Sequence, residues 1–281
     1  MSADTRAARA LGRRYRLTLE REPRGRLGGD RLGRSSGSSL EFQDRRAYAA
    51  GDDVRHLDWR AFARTEKLLV RQYRDEILPT VDLVVDGSRS MAVEPAKEER
   101  ARELATFLTE AALGAGCRTR VLLAGERPER LEALEFLERG PAFDGTLPLA
   151  RALPDLLPGL APGSLRLVLS DLLFPGEPDE LLRAVARGGS GLAVAMLLGP
   201  GDVDPPADAL ELEDCEDGAR RDLVIDASAR ARYLERLARL GAGYAAAARR
   251  LGARFVRLVA DRDLEALARD ELAPTGWIEP A

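Results

Sequence analysis

Five oxygen-bearing side chains stand where this sequence could do chemistry. Asp86, Ser88 and Ser90 lie in the run Asp86-Gly87-Ser88-Arg89-Ser90, and Thr146 and Asp171 follow further along. A carboxylate followed by hydroxyls at alternate positions can present all its oxygens on one side of an extended or turning loop. Two carboxylates and three hydroxyls from neighbouring loops make a ligand set suited to Mg²⁺ or Mn²⁺, which take about six oxygen ligands and usually keep some waters. Each residue alone has a plainer reading. A Ser-rich segment is commonly just a turn, Thr146 is a natural helix cap, and Asp171 is a cap or a solvated strand end. Their joint occurrence at loops of one α/β unit is what favours a site, since short motifs taken singly are weak.

The scarcity of soft ligands narrows the chemistry further. One His and two Cys, Cys117 and Cys215, cannot supply the spacings of a zinc site. A multi-histidine iron or copper site is excluded on the same grounds. Two cysteines make no disulfide framework, which fits a reducing compartment. There is no Gly-Lys dipeptide, hence no phosphate-binding loop of the Walker A type.

The elements that must hold these residues are legible from Pro79 onward. Val81–Val85 is a short apolar run of buried-strand type, ending at Asp86. Pro95 precedes a long helical pattern that recurs at Leu104, Phe107, Leu108, Ala111 and Ala112 and stops near Gly114 and Gly116. Strands are expected at 120–124, 165–170, 192–198 and 255–259, with a further strand at 132–137 pairing across the turn at 125–128. Helices are expected at 148–157, 178–186, 232–251 and 263–272. The loop 140–146 carries Thr146 between two of these elements. Strands alternating with helices predict an α/β fold with a doubly wound, mostly parallel sheet covered on both faces. Ligands of such sheets bind beyond the carboxyl ends of the strands, where Asp86 and Asp171 stand.

Length and composition set the frame. The chain has 281 residues, 45% of them hydrophobic and 32% charged, as expected of a globular protein with a substantial core. No apolar run approaches the roughly 18 residues of a membrane span, and the N-terminal stretch lacks the apolar segment of a secretory signal; the cytoplasm is the expected location. Charge is unevenly spread. Residues 1–34 hold ten Arg and four acids, a net of +6, while the whole chain sums to −4, leaving −10 for the rest. We read residues 1–38 as a basic, partly mobile arm and connector, ending in the Gly-Ser run 33–39. Residues 39–78 form a second segment, and 79–281 form the α/β domain.

The Asp86-x-Ser88-x-Ser90 run with Thr146 and Asp171 resembles the metal-ion-dependent adhesion site of von Willebrand factor type A domains. A second resemblance lies in Glu41-Phe42, Asp44, Arg46, Tyr48, Gly51-Asp52-Asp53, Arg55, Asp58-Trp59-Arg60, Ala63-Arg64 and Leu68-x-Val70. That series is similar to the hallmark of the bacterial domain-of-unknown-function family 58, and Ser170-Asp171 and 212–217, followed by the Tyr233 helix, also fit. The resemblance implies a Rossmann-type von Willebrand A-like domain with an N-terminal extension packed on it. It implies a metal held by Asp86, Ser88, Ser90, Thr146 and Asp171, with an open position for the carboxylate of a protein partner. It further implies cooperation with a MoxR-type AAA+ ATPase in maturing or assembling other proteins. Many family members carry N-terminal membrane helices; this sequence shows none.

Two rival functions come from other classes. An aspartate ending the first strand is also the nucleophile position of Mg²⁺-dependent α/β phosphatases. Those need a second acid two residues on, where this chain has Ser88, and a lysine, for which only Lys67 and Lys97 are available. Nucleic-acid binding through the basic arm is disfavoured because no aromatic platform accompanies it. In the 41–76 segment, Trp59 with Arg60 and Arg64 reads either as an exposed contact surface or as scaffold. We favour scaffold, with Asp52, Asp53, Arg55, Asp58 and Arg60 as an ion-pair and capping network around a buried Trp59. His56 has no Ser or Cys partner in view and is not expected to be catalytic.

Overall fold

The computed structural model describes residues 3–19, 40–49, 52, 54–75, 78–206, 209–215 and 218–281. Two compact units divide the chain, one of residues 1–21 and 79–281 and the other of 22–78. The Gly-Ser run 33–39 lies outside the described residues.

The larger unit is an α/β body around a six-stranded sheet. Its strands are β1 (Thr80–Asp86), β2 (Arg118–Ala124), β3 (Glu129–Glu132), β4 (Leu165–Ser170), β5 (Gly191–Leu198) and β6 (Arg254–Val259). The spatial order is β6-β5-β4-β1-β2-β3, all parallel except β3, which pairs antiparallel with β2. The central strands are apolar on both faces, as a doubly covered sheet requires. Along β1, Val81, Leu83 and Val85 enter one apolar layer and Val84 the other.

Each layer is roofed by helices. On the first face lie α1 (Ala3–Gly12) and α2 (Pro95–Gly114), which bury Ala8 and Leu11, and Leu104, Phe107 and Leu108. The short helix α3 (Ala133–Arg139) contributes Phe136 and Leu137 to the same layer. On the second face lie α4 (Leu149–Leu156), α5 (Pro178–Ala186) and α6 (Ala227–Arg250), contributing Leu153, Leu182 and Tyr244 among others. Between β5 and α6 the chain makes an antiparallel hairpin, Ala209–Glu213 with Arg220–Val224.

Three sequence expectations differ from this arrangement. Residues 3–19, expected in a basic mobile arm, are a helix and a strand of the body. Leu17 is 3% exposed, Tyr15–Leu17 pairs antiparallel with Ile278–Pro280, and the Tyr15 ring stands edge-on to Phe107. Two of the arginines that suggested an arm, Arg6 and Arg9, lie on α1, where Arg9 pairs with the buried Glu110 at 2.6 Å. The strand expected at 132–137 is instead β3 at 129–132, and the chain turns directly into α3. The last expected helix is one α-turn, Leu264–Leu267, running into a π-helical turn, Ala268–Leu272.

The smaller unit is an antiparallel hairpin, Leu40–Ala47 with Leu69–Asp75, whose register slips between Phe42 and Asp44. Its crossover carries the helix Trp59–Thr65, capped by Asp58, whose carboxylate accepts from the Ala61 N–H at 3.1 Å. Leu57, Ala61 and Val70 are buried, but Trp59 is 60% exposed, stacked edge-on against Phe62. The expected buried Trp59 is thus corrected. Trp59 stands at the first helical position, on the side away from the buried Ala61, and the helix is capped by Asp58, while Asp52 accepts from the Ala49 N–H at 2.8 Å. The side chains of Asp53 and His56 lie outside the described residues.

Candidate metal centre

The sheet order decides where the candidate residues meet. β1 and β4 are neighbours, with Val85 opposite Leu169, so Asp86 emerges beside Ser170. From β1 the chain passes to α2 on the first face; from β4 it passes to α5 on the second. Divergence of two adjacent strands opens a crevice at their carboxyl ends, the usual ligand position of open parallel sheets.

Asp86 is fully buried in this crevice. Its Oδ1 accepts from the Ser88 N–H at 3.0 Å and its Oδ2 from the Ser170 hydroxyl at 2.6 Å. Burial, and then the nearby Asp171 charge, push its pKa up from 3.8 to about 6, against the downward pull of these hydrogen bonds. Ser88 and Ser90 flank the start of a 3₁₀ turn, Arg89–Ala92, and their hydroxyl oxygens lie 2.9 Å apart.

Thr146 is brought alongside by backbone. The Gly145 N–H donates to the Gly87 carbonyl at 3.1 Å, and the Arg89 N–H donates to the Gly145 carbonyl at 2.8 Å. Glycine suits both positions: a Cβ on Gly87 would stand 2.5 Å from the Ala124 carbonyl oxygen, and one on Gly145 would stand 3.1 Å from the Gly87 carbonyl oxygen. The Thr146 hydroxyl itself bonds the Glu126 carboxylate, in the turn between β2 and β3. The structure therefore joins its loop to the serine loop while giving its side chain a different partner. Arg89 is exposed and directs its Nε to the Asp144 carbonyl oxygen at 3.3 Å.

Asp171 is 1% exposed. Its Oδ1 accepts from the Leu173 N–H at 3.1 Å, and its Oδ2 accepts from the Lys97 ammonium at 2.9 Å. Between them Leu172 is held at φ 57°, a left-handed conformation that a buried leucine adopts only when its surroundings impose it. The Ser170 hydroxyl, which accepts from the Leu172 N–H at 3.0 Å, is part of that imposition. Lys97 also bonds Asp202 at 3.0 Å, and Asp202 in turn accepts from the Gly199 N–H at 2.8 Å. Burial opposes the charge on Lys97, but Asp171 and Asp202 together outweigh it and raise its pKa.

The family described as "Protein of unknown function DUF58" matches residues 44–242, most of the chain. The chain belongs to the DUF58 family. Uncharacterized proteins of Mycobacterium tuberculosis (strain ATCC 25618 / H37Rv) and Mycobacterium bovis are each 34% identical to it over 283 aligned positions. Those alignments cover 92% of this chain and 87% of each relative. The stretch that identifies it as a DUF58 protein contains all five candidate residues together with Lys97, Ser170 and Asp202.

The donors that this DUF58 protein presents at the crevice, carboxylate and hydroxyl oxygens, are of the type a hard cation takes. The Ser88 and Ser90 hydroxyls hydrogen-bond each other at 2.9 Å, an ordinary O–H···O distance, which leaves them close enough together for both to reach one ion. Each carboxylate oxygen of Asp86 and Asp171 accepts one hydrogen bond, leaving a lone pair on each for a bridging water. Among the described residues no group of three or more His, Cys, Asp or Glu gathers as a metal cluster, so an ion here would depend on the hydroxyls. Asp202 and Glu126 were not singled out from sequence; Ser170 entered only as part of the Ser170-Asp171 resemblance and Lys97 only as one of two lysines available to a phosphatase. Lys97 carried a usable signal, being one of two lysines in a chain otherwise supplied with arginine.

Proposed function

We propose that this DUF58 protein is a non-enzymatic, divalent-cation-dependent protein-interaction module, its body a von Willebrand A-like domain. The observation that carries the reading is the gathering of two hydrogen-bonded serine hydroxyls, Ser88 and Ser90, beside two buried aspartates at the divergence of β1 and β4. Ser88, Ser90 and Thr146 would offer hydroxyls to Mg²⁺ or Mn²⁺, and Asp86 and Asp171 would hold its waters. The ion supplies a Lewis-acidic position open to a carboxylate from a protein partner. The partner class implied by the family resemblance is a MoxR-type AAA+ ATPase, with other proteins as the clients matured or assembled.

The position two residues beyond Asp86 also weighs against the phosphatase alternative. A nucleophilic carboxylate of that type works with a second acid two residues on, where this chain has Ser88, whose N–H is instead bonded to Asp86 at 3.0 Å. No helix among the described residues is long and apolar enough to cross a membrane. Calorimetry with Mg²⁺ and Mn²⁺ on the wild type and on Asp86→Ala tests the proposal: heat of binding is expected only in the wild type. Equal heats, or none in either protein, would refute it.

A further inference from the structure

We infer that Lys97 is a resident cation of the metal centre: it restrains divalent-ion affinity and keeps the loaded site receptive to a partner's carboxylate. This rests on the metal reading above.

Placement of Lys97 is the first argument. It occupies the third residue of α2, in the turn where the helix dipole is positive, and a cation there is disfavoured. It is also only 3% exposed, so its charge has been removed from water at considerable cost. Within α2 both features are unfavourable, and what compensates them is the pair of carboxylates that the ammonium faces, Asp171 and Asp202.

Its bonding is the second argument. Asp202, anchored on the Gly199 N–H, holds the ammonium independently of Asp171. Lys97 therefore keeps a partner when Asp171 turns one of its lone pairs towards a metal-bound water. A lysine suits this place better than an arginine, because a compact ammonium can sit between two carboxylates without demanding a planar, bidentate fit.

Charge balance is the third. Asp86, Asp171 and Asp202 against Lys97 sum to −2, which one divalent ion brings to zero. Without Lys97 the loaded centre would remain at −1. Such a centre would bind the ion more tightly and repel an incoming carboxylate.

The test uses the full chain and Mn²⁺ titrated by calorimetry, with thermal melts to confirm folding. Lys97→Gln should bind Mn²⁺ at least about tenfold more tightly than wild type, and the Mn²⁺-loaded variant should bind acetate more weakly than loaded wild type. Lys97→Arg should stay within about threefold of wild type for Mn²⁺. A merely structural lysine gives the opposite sign, with Lys97→Gln weakening the ion. Unchanged or weaker binding by folded Lys97→Gln would overturn the inference while leaving the metal reading intact. If Lys97→Gln does not fold, Asp202→Asn decides: retaining the lysine but losing a negative charge, it should bind Mn²⁺ more weakly, and equal or tighter binding overturns the inference. A wild type that binds no Mn²⁺ fails the metal reading itself, and the inference with it.

Discussion

Replacing Asp86 by Asn should make the metal-free protein more stable while abolishing its response to Mg²⁺. The near-isosteric amide can keep its oxygen on the Ser88 N–H and donate to the Ser170 hydroxyl, which is able to accept. What the substitution removes is a buried negative charge beside another. The rise in the Asp86 pKa from 3.8 to about 6 on folding corresponds to about 3 kcal/mol of destabilisation at neutral pH, at about 1.4 kcal/mol per tenfold. Because the folded pKa is the higher one, the carboxyl imposes no such cost below about pH 4. The cost grows as pH rises from there and is complete above about pH 6. Urea unfolding in EDTA at pH 7.5 should therefore show Asp86→Asn more stable than wild type by up to about 3 kcal/mol, and the difference should vanish near pH 4. Added Mg²⁺ should stabilise only the wild type. An Asn variant less stable than wild type at pH 7.5 would show that the carboxylate's hydrogen bonds outweigh its burial, refuting this account of the centre as charge-strained without a cation.

Other expectations follow from parts of the structure away from the metal. Leu17→Ala should cost about 2–5 kcal/mol in urea unfolding, the range for a buried leucine, since Leu17 is 3% exposed; a mobile arm would show no loss. In acrylamide quenching, Trp59 (60% exposed) should be strongly quenched and Trp277 (1% exposed) shielded, so that Trp59→Phe leaves a blue-shifted, quench-resistant emission. Burial pushes the Cys117 thiol up to about 11, so at pH 8 it should resist iodoacetamide until the protein is unfolded; rapid alkylation of Cys117 in the native protein, distinguished from the half-exposed Cys215 by peptide mapping, would contradict this.

The sheet was readable in the sequence because strands buried on both faces are near-continuous apolar runs. Leu165–Ser170 and Pro178–Ala186 stand where the pattern put them. The aspartates were readable for the same reason, since a charge ending such a run marks a strand's carboxyl end. Elsewhere the local signal was masked. In α1 the buried Ala8 and Leu11 make a weak apolar signal beside Arg6 and Arg9, and the charge of the surrounding segment suggested an arm. At 129–139, four strand residues pass straight into a helix with no glycine or proline to mark the change. In the hairpin at 209–224 only Ala209–Glu213 alternates leucine with acid, over five residues, and Arg220–Val224 shows no alternation, so the pair was not read as strands. Lys97 lies 74 positions from Asp171 and 105 from Asp202, and no local pattern announces a partnership that only the fold creates. Trp59 was misjudged because composition cannot tell which side of a short helix faces out.

The central claim is that Ser88 and Ser90 face a bound divalent cation. Anomalous diffraction from crystals grown with Mn²⁺ tests it directly. The account predicts a single strong peak bounded by the Ser88 and Ser90 hydroxyls, adjoining Asp86 and Asp171 and absent from Asp86→Asn crystals. Diffraction showing no peak there, or manganese only at other carboxylates, would contradict it.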